Sequence, residues 1–140
     1  MMGDAAPRTR VFFYGLFMDA DLLRSKGLNP EGIERAIVGG YSLRIGKRAA
    51  LAEDTAGQVH GLVMSLTDDE LERLYSEPSV QAYRPQDVVA QLASGHTVGA
   101  VCYNLPEPPS LSESNPDYAA KLRQVAHRVG LPNDYIATLQ

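Results

Sequence analysis

The chain has 140 residues, 44% of them hydrophobic, which is enough for one well-buried core and too few for two. Its net charge of −4 excludes the broad basic field that would hold nucleic acid or an anionic membrane surface. A lone cysteine, Cys102, rules out an internal disulfide, and His60, His96 and His127 are too scattered for zinc-ligand spacing.

Residues 1–9 are small and polar and read as a flexible leader, with residues 10–140 as one domain. The N-terminus "MMGDAAPRTR" lacks the roughly 7 to 15 apolar residues of a signal-peptide core, and no stretch approaches the roughly 18 of a membrane span. The expectation is a soluble, cytoplasmic protein. Arg10 to Tyr14 is apolar and aromatic on consecutive positions, as a strand covered on both faces requires. Asp19 then caps a short helix that Gly27 stops. The stretch "RAIVGGYSLRIG" alternates at Tyr41, Leu43 and Ile45, and its Gly39-Gly40 pair suits a bulge or sharp bend. "AALAE" and "QVHGLVMSL" follow as two short strands separated by a loop containing Gly57. Thr67 and Glu70 form a capping box, so Asp68 to about Ser76 is a helix that Pro78 ends. "DVVAQL" and "TVGAVCY" around Ser94-Gly95 make a hairpin, and residues 105–116 a long loop. Asn115 caps a helix with Pro116 at its first position, whose stripe is Tyr118, Leu122, Val125, Ala126 and Val129, stopped by Gly130. Pro132 starts a last short helix. Strands dominate the middle and helices close the chain, which argues an α+β fold with a mixed or curled sheet rather than a doubly wound one.

No G-x-G-x-x-G, P-loop, H-E-x-x-H or G-x-S-x-G motif occurs, so the chemistry that carries those signatures has no support. Three clusters remain. In "YGLFM" a buried strand meets a glycine and then a capped helix, where backbone N–H groups can converge on a carboxylate. Locally, an ordinary strand-end turn accounts for it as well. In "LERLYSEPSVQAYRP", residues 71–85, a partly desolvated Glu77 would be poised for proton transfer. Solvated charges beside core tyrosines account for the same residues. The C-terminal helical pair reads as packing, His127 as a surface or packing residue, and Cys102 as a small core residue with no histidine placed to activate it.

Taken together and in order, the clusters resemble the gamma-glutamylcyclotransferase-like superfamily, which includes the AIG2-like proteins. That family opens with a strand running into Tyr-Gly-Ser-Asn-Leu or Tyr-Gly-Thr-Leu, here "FFYGLFM". The match continues through Val59, Gly61, Val63 and Leu66, then Pro78-Ser79 and Tyr83-Arg84. It closes on Pro116, Tyr118, Leu122, Ala126, Gly130, Leu131, Pro132, Tyr135 and Leu139. The resemblance implies a small barrel-like mixed β-sheet with short helices and a C-terminal helical pair. It implies cyclisation of a gamma-glutamyl group without a cofactor: the substrate's α-amine attacks its own γ-carbonyl, releasing 5-oxoproline and an amine or amino acid. The expected partner is a small gamma-glutamyl or amino-acid-like ligand, with no nucleic acid and no membrane, and the oligomeric state is left open. Carried over residue by residue, the substrate-binding positions are Tyr14, Gly15, Leu16 and Tyr118.

Two positions depart from the family pattern. The family's catalytic glutamate stands three residues before the proline, a position that holds Tyr75 when counted from Pro78 and Ser76 when counted from Tyr83. Leu16 replaces the Ser or Thr after the glycine. The expectation is therefore a member with the pocket retained and cyclisation altered or lost. Two alternatives stand beside it: an active cyclotransferase with Glu77 as general acid/base, and a module that binds a small carboxylate without changing it.

Overall fold

The structure, a computed structural model, describes residues 7–110 and 112–139. Its elements in chain order are β1 (Arg8–Phe13), a 3-10 turn (Leu16–Met18), α1 (Ala20–Ser25), β2 (Glu31–Ile45) and β3 (Ala49–Thr67). After these come α2 (Asp68–Leu74), β4 (Arg84–Leu92), β5 (Thr97–Asn104), α3 (Pro116–Arg128) and α4 (Asn133–Ile136).

The five strands form a closed barrel in the order β1-β3-β2-β4-β5. All neighbours are antiparallel except β1 and β5, which close the barrel in parallel at Val11 and Val101. The α+β barrel expected from the resemblance is thus the observed architecture. Strand alternation divides β1 as its composition requires. Phe12 and Tyr14 join an interior layer with Val38, Val59, Val88 and Cys102. Val11 and Phe13 face outward into a second layer with Met18, Leu23, Leu71 and Leu122, where the helices cover the sheet.

Two expected boundaries shift. Of the leader, residues 1–6 lie outside the described residues, but Arg8 and Thr9 already belong to β1, paired with Thr67 and Leu66. Arg8 anchors that end, 3.3 Å from Glu31 and 3.6 Å from Glu70. Residues 49–67 form one 19-residue strand rather than two, although residues 54–57, in the expected loop, have no partner in β2. A Cβ at Gly57 would run into the Tyr41 carbonyl, so this glycine serves the close approach of β2 beside a register shift between Gly39 and Tyr41. Gly40, at φ +88°, supplies the bend.

Local signals hold where they were strongest. The Asp19 carboxylate accepts from the N–H groups of Asp21 and Leu22. Thr67 and Glu70 make both bonds of the capping box, and Asn115 accepts from the Tyr118 N–H at the start of α3. α3 then packs its Ala119, Leu122, Val125 and Ala126 stripe inward and lies over the 3-10 turn that follows β1. Among the described residues no helix is long and apolar enough to cross a membrane.

Candidate functional site

β1 runs out of the barrel at Tyr14, whose buried hydroxyl donates to the Tyr103 carbonyl at 2.9 Å. Gly15 follows with φ −112° and ψ −151°, extended backbone open to any residue. Space, not conformation, demands glycine: a Cβ at this position would lie 2.8 Å from the Tyr118 hydroxyl oxygen. The next residues tighten into the 3-10 turn, with Met18 N–H bonded to the Gly15 carbonyl at 3.0 Å and Asp19 N–H to Leu16 at 3.1 Å. Burial pushes the Tyr118 hydroxyl above its ordinary range, and the Leu16 backbone N–H beside it partly offsets that. The strand end, the turn and the start of α3 thus converge on one point.

That point opens on a cavity of about 350 Å³. Tyr14, Gly15, Leu16 and Tyr118 all line it, so the four expected substrate-binding positions share one wall. The segment after α2 supplies another. Tyr75, at the glutamate position counted from Pro78, faces the cavity and stacks on Tyr103 with ring centres 3.9 Å apart and planes 12° apart. Its edge meets Phe17 at 6.0 Å. Burial, with the neighbouring Cys102 thiol and the hydroxyls of Tyr103 and Tyr83 adding to it, holds the Tyr75 hydroxyl well above 10. At neutral pH it can share hydrogen bonds but offers no phenolate base. Ser76, the other expected position, is exposed and outside the lining, its hydroxyl bonded to the Arg73 carbonyl at 2.8 Å.

Glu77 also lines the cavity, so the residues on either side of Ser76 both face it. Among the described residues it is the one acidic side chain in that lining. Lys26, just past α1, sits 3.0 Å from each carboxylate oxygen, and the two side chains remain 29% and 36% exposed, which puts the pair at the rim. Tyr83 closes the wall between β3 and α3, its hydroxyl bonded to the Ala49 carbonyl and pushed up by burial.

Three cations here had no sequence signal: Lys26 from the end of α1, and Lys47 and Arg48 from the β2–β3 turn. Lysine and arginine in short polar turns are ordinary, and only the closed barrel brings them together. Other candidates stand apart. Cys102 is fully buried inside the barrel, its thiol pushed up to about 12 by burial, and is no nucleophile at neutral pH. His127 is exposed on α3 and outside the cavity lining.

Comparison with known proteins agrees with this fold. A solved structure described as a gamma-glutamyl cyclotransferase superposes with a TM-score of 0.78 at 18% identity, over 95% of this chain and 86% of that one. A human protein described as uncharacterised superposes at 0.76 with 20% identity, over 94% and 86%. A yeast gamma-glutamyl cyclotransferase described as specific to glutathione gives 0.62 at 15% identity, over 94% and 93%. At these identities the likeness is one of fold. Among curated proteins nothing matches the chain. The sequence model for "gamma-glutamyl cyclotransferase, AIG2-like" matches residues 11–122, which contain the strand end, the turn, Glu77 and Tyr118. With that match over most of its length, the chain belongs to the gamma-glutamyl cyclotransferase, AIG2-like family.

Proposed function

We propose that the cavity receives a gamma-glutamyl compound and cyclises its glutamyl group to 5-oxoproline, with Glu77 as the general acid/base. The observation that carries this reading is that Glu77 and the Gly15-Leu16 turn line the same cavity. In the reaction the α-amine gives a proton to Glu77 and bonds to the γ-carbonyl carbon. The tetrahedral intermediate collapses as Glu77 returns that proton to the leaving nitrogen, and the old carbon–nitrogen bond breaks. No water is consumed and no group is oxidised or reduced. The protein's task is to hold amine and carbonyl at attack distance and to shuttle one proton. The Gly15-Leu16 turn and Tyr118 would hold the glutamyl carboxylate. Lys26 would keep the Glu77 side chain in one place between the two transfers.

The family's glutamate position falls on Tyr75 counted from Pro78 and on Ser76 counted from Tyr83, and Leu16 stands where the resemblance implies a Ser or Thr hydroxyl. Glu77 takes over in this reading from one or two residues along, while the Tyr75 ring becomes wall. The test is release of 5-oxoproline from gamma-glutamyl amino acids and gamma-glutamyl amines, with turnover expected for at least one. A second reading has one observation in its favour: Lys26 contacts both oxygens of Glu77, which can leave the carboxylate structural. In that case the cavity binds gamma-glutamyl compounds without turnover, and calorimetry shows binding where the assay shows no product.

A further inference from the structure

Resting on that reading of the cavity, we propose that Lys47 and Arg48 form a subsite for a carboxylate on the leaving group. The substrate is then a gamma-glutamyl amino acid or peptide rather than a gamma-glutamyl amine. Three observations lead there. The first is charge: the lining holds Lys26, Lys47, Arg48 and Glu77, and Lys26 is taken up by Glu77. Neither Lys47 nor Arg48 has a carboxylate within 4.0 Å among the described residues, so an anionic ligand meets two uncommitted cations in an otherwise acidic protein.

The second is position. Tyr83 donates its hydroxyl to the carbonyl of Ala49, the residue after Arg48, and Arg48, Ala49, Tyr83 and Tyr118 all line the cavity. Arg48 thus stands beside Tyr83 on the cavity that also holds the cradle assigned to the glutamyl carboxylate. A ligand whose glutamyl end lies at Gly15 extends its leaving group past Tyr83. The third is that the turn is built rather than loose. Gly46 is buried under Pro109 and Glu113, where a Cβ would come within 2.6 Å of Pro109 Cβ and 2.8 Å of Glu113 Oε1. Glu113 also accepts from the Lys47 backbone N–H at 3.4 Å and the Ser110 N–H at 3.1 Å. The carboxylate nearest the turn therefore fixes its backbone and leaves the two side chains to a ligand.

The experiment compares gamma-glutamyl-alanine with gamma-glutamyl-alaninamide, which differ only in that carboxylate. Wild type is expected to prefer the acid at least tenfold in kcat/KM. In Lys47→Met/Arg48→Met the ratio falls toward one, and in Arg48→Glu it inverts. If the double variant fails to fold, Lys47→Met alone, at an exposed position, is expected to narrow the ratio. A wild-type ratio near one, or a ratio that survives substitution because both substrates lose equally, overturns the subsite. No turnover of either compound overturns the proposed cyclisation instead, and the same pair is then ranked by calorimetric Kd: tighter binding of the acid that Lys47→Met/Arg48→Met abolishes upholds the subsite, and equal or absent binding overturns it.

Discussion

Replacing Gly15 by alanine tests the packing that assembles the site. The added Cβ would stand 2.8 Å from the Tyr118 hydroxyl oxygen, against the 3.4 Å where ordinary contact begins, so one of them must move by about 0.6 Å. No other atom outside the adjacent residues, the tyrosine ring carbons included, comes within 4 Å of that Cβ. The hydroxyl tips a stiff ring whose helix is pinned by buried Ala119 and Leu122, so relief by rotation is limited. Overpacking of this kind costs about 1–3 kcal/mol, or roughly 2–15 °C in Tm for a chain of this size. The conformation itself adds no penalty, because φ is −112°. In a Tyr118→Phe background the obstructing oxygen is gone, and Gly15→Ala should be neutral, or stabilising by about 0.4–1 kcal/mol through the unfolded chain. The assay is a double-mutant cycle by urea unfolding, with a coupling of about 1–3 kcal/mol expected. Equal costs of Gly15→Ala in both backgrounds would refute the argument, since the hydroxyl would then not be what requires glycine.

Four further outcomes follow from the same structure. Asn104 is the buried polar side chain that mimics a strand partner, accepting from Leu51 N–H at 2.8 Å and donating to Leu51 C=O at 3.0 Å. Asn104→Leu orphans both backbone groups and is expected to cost about 2–5 kcal/mol in denaturant unfolding, while a cost under about 0.5 kcal/mol would contradict the buried pairing. Thr67→Ala removes the side-chain half of the capping box and should cost about 1 kcal/mol, read from the same titration. Cys102, pushed up to about 12 by burial, should resist thiol reagents at pH 8 until the chain unfolds. Its folded pKa lies above the unfolded value, so the folded state holds the extra proton between roughly pH 9 and 12 and stability should fall as pH rises through that window. The buried hydroxyls of Tyr14 and Tyr75 act in the same direction, and a midpoint independent of pH there would contradict all three burials.

What the sequence made legible were features written within a few residues of each other. The aromatic run of β1 announced two covered faces, and Asp19, Thr67 and Asn115 announced helix starts, because capping is decided inside one turn. Gly57 misled because a glycine that breaks a chain and one that admits a neighbouring carbonyl look alike until the partner strand is known. The turn at Tyr14, Gly15 and Leu16 had a local signal that an ordinary strand end explained equally well, and the expectation that these residues and Tyr118 meet a substrate came from the family pattern. The orientation of residues 75 to 77 was out of reach, since it depends on how the chain turns after leaving α2 at Leu74. Neighbours in sequence usually point apart, and they do here: residues 75 and 77 share the cavity and residue 76 between them does not. Lys26, Lys47 and Arg48 meet only through closure of the barrel, a long-range event without a sequence signature.

The most direct test of the proposed chemistry is 5-oxoproline release from one gamma-glutamyl amino acid by wild type, Glu77→Gln and Tyr75→Phe under saturating substrate. Glutamine keeps the shape of Glu77 but cannot take a proton, so kcat should fall by about 10²–10⁴ while binding persists. Tyr75→Phe keeps the stacked ring and should stay within severalfold of wild type. A Glu77→Gln enzyme as fast as wild type would contradict the assignment of proton transfer to Glu77.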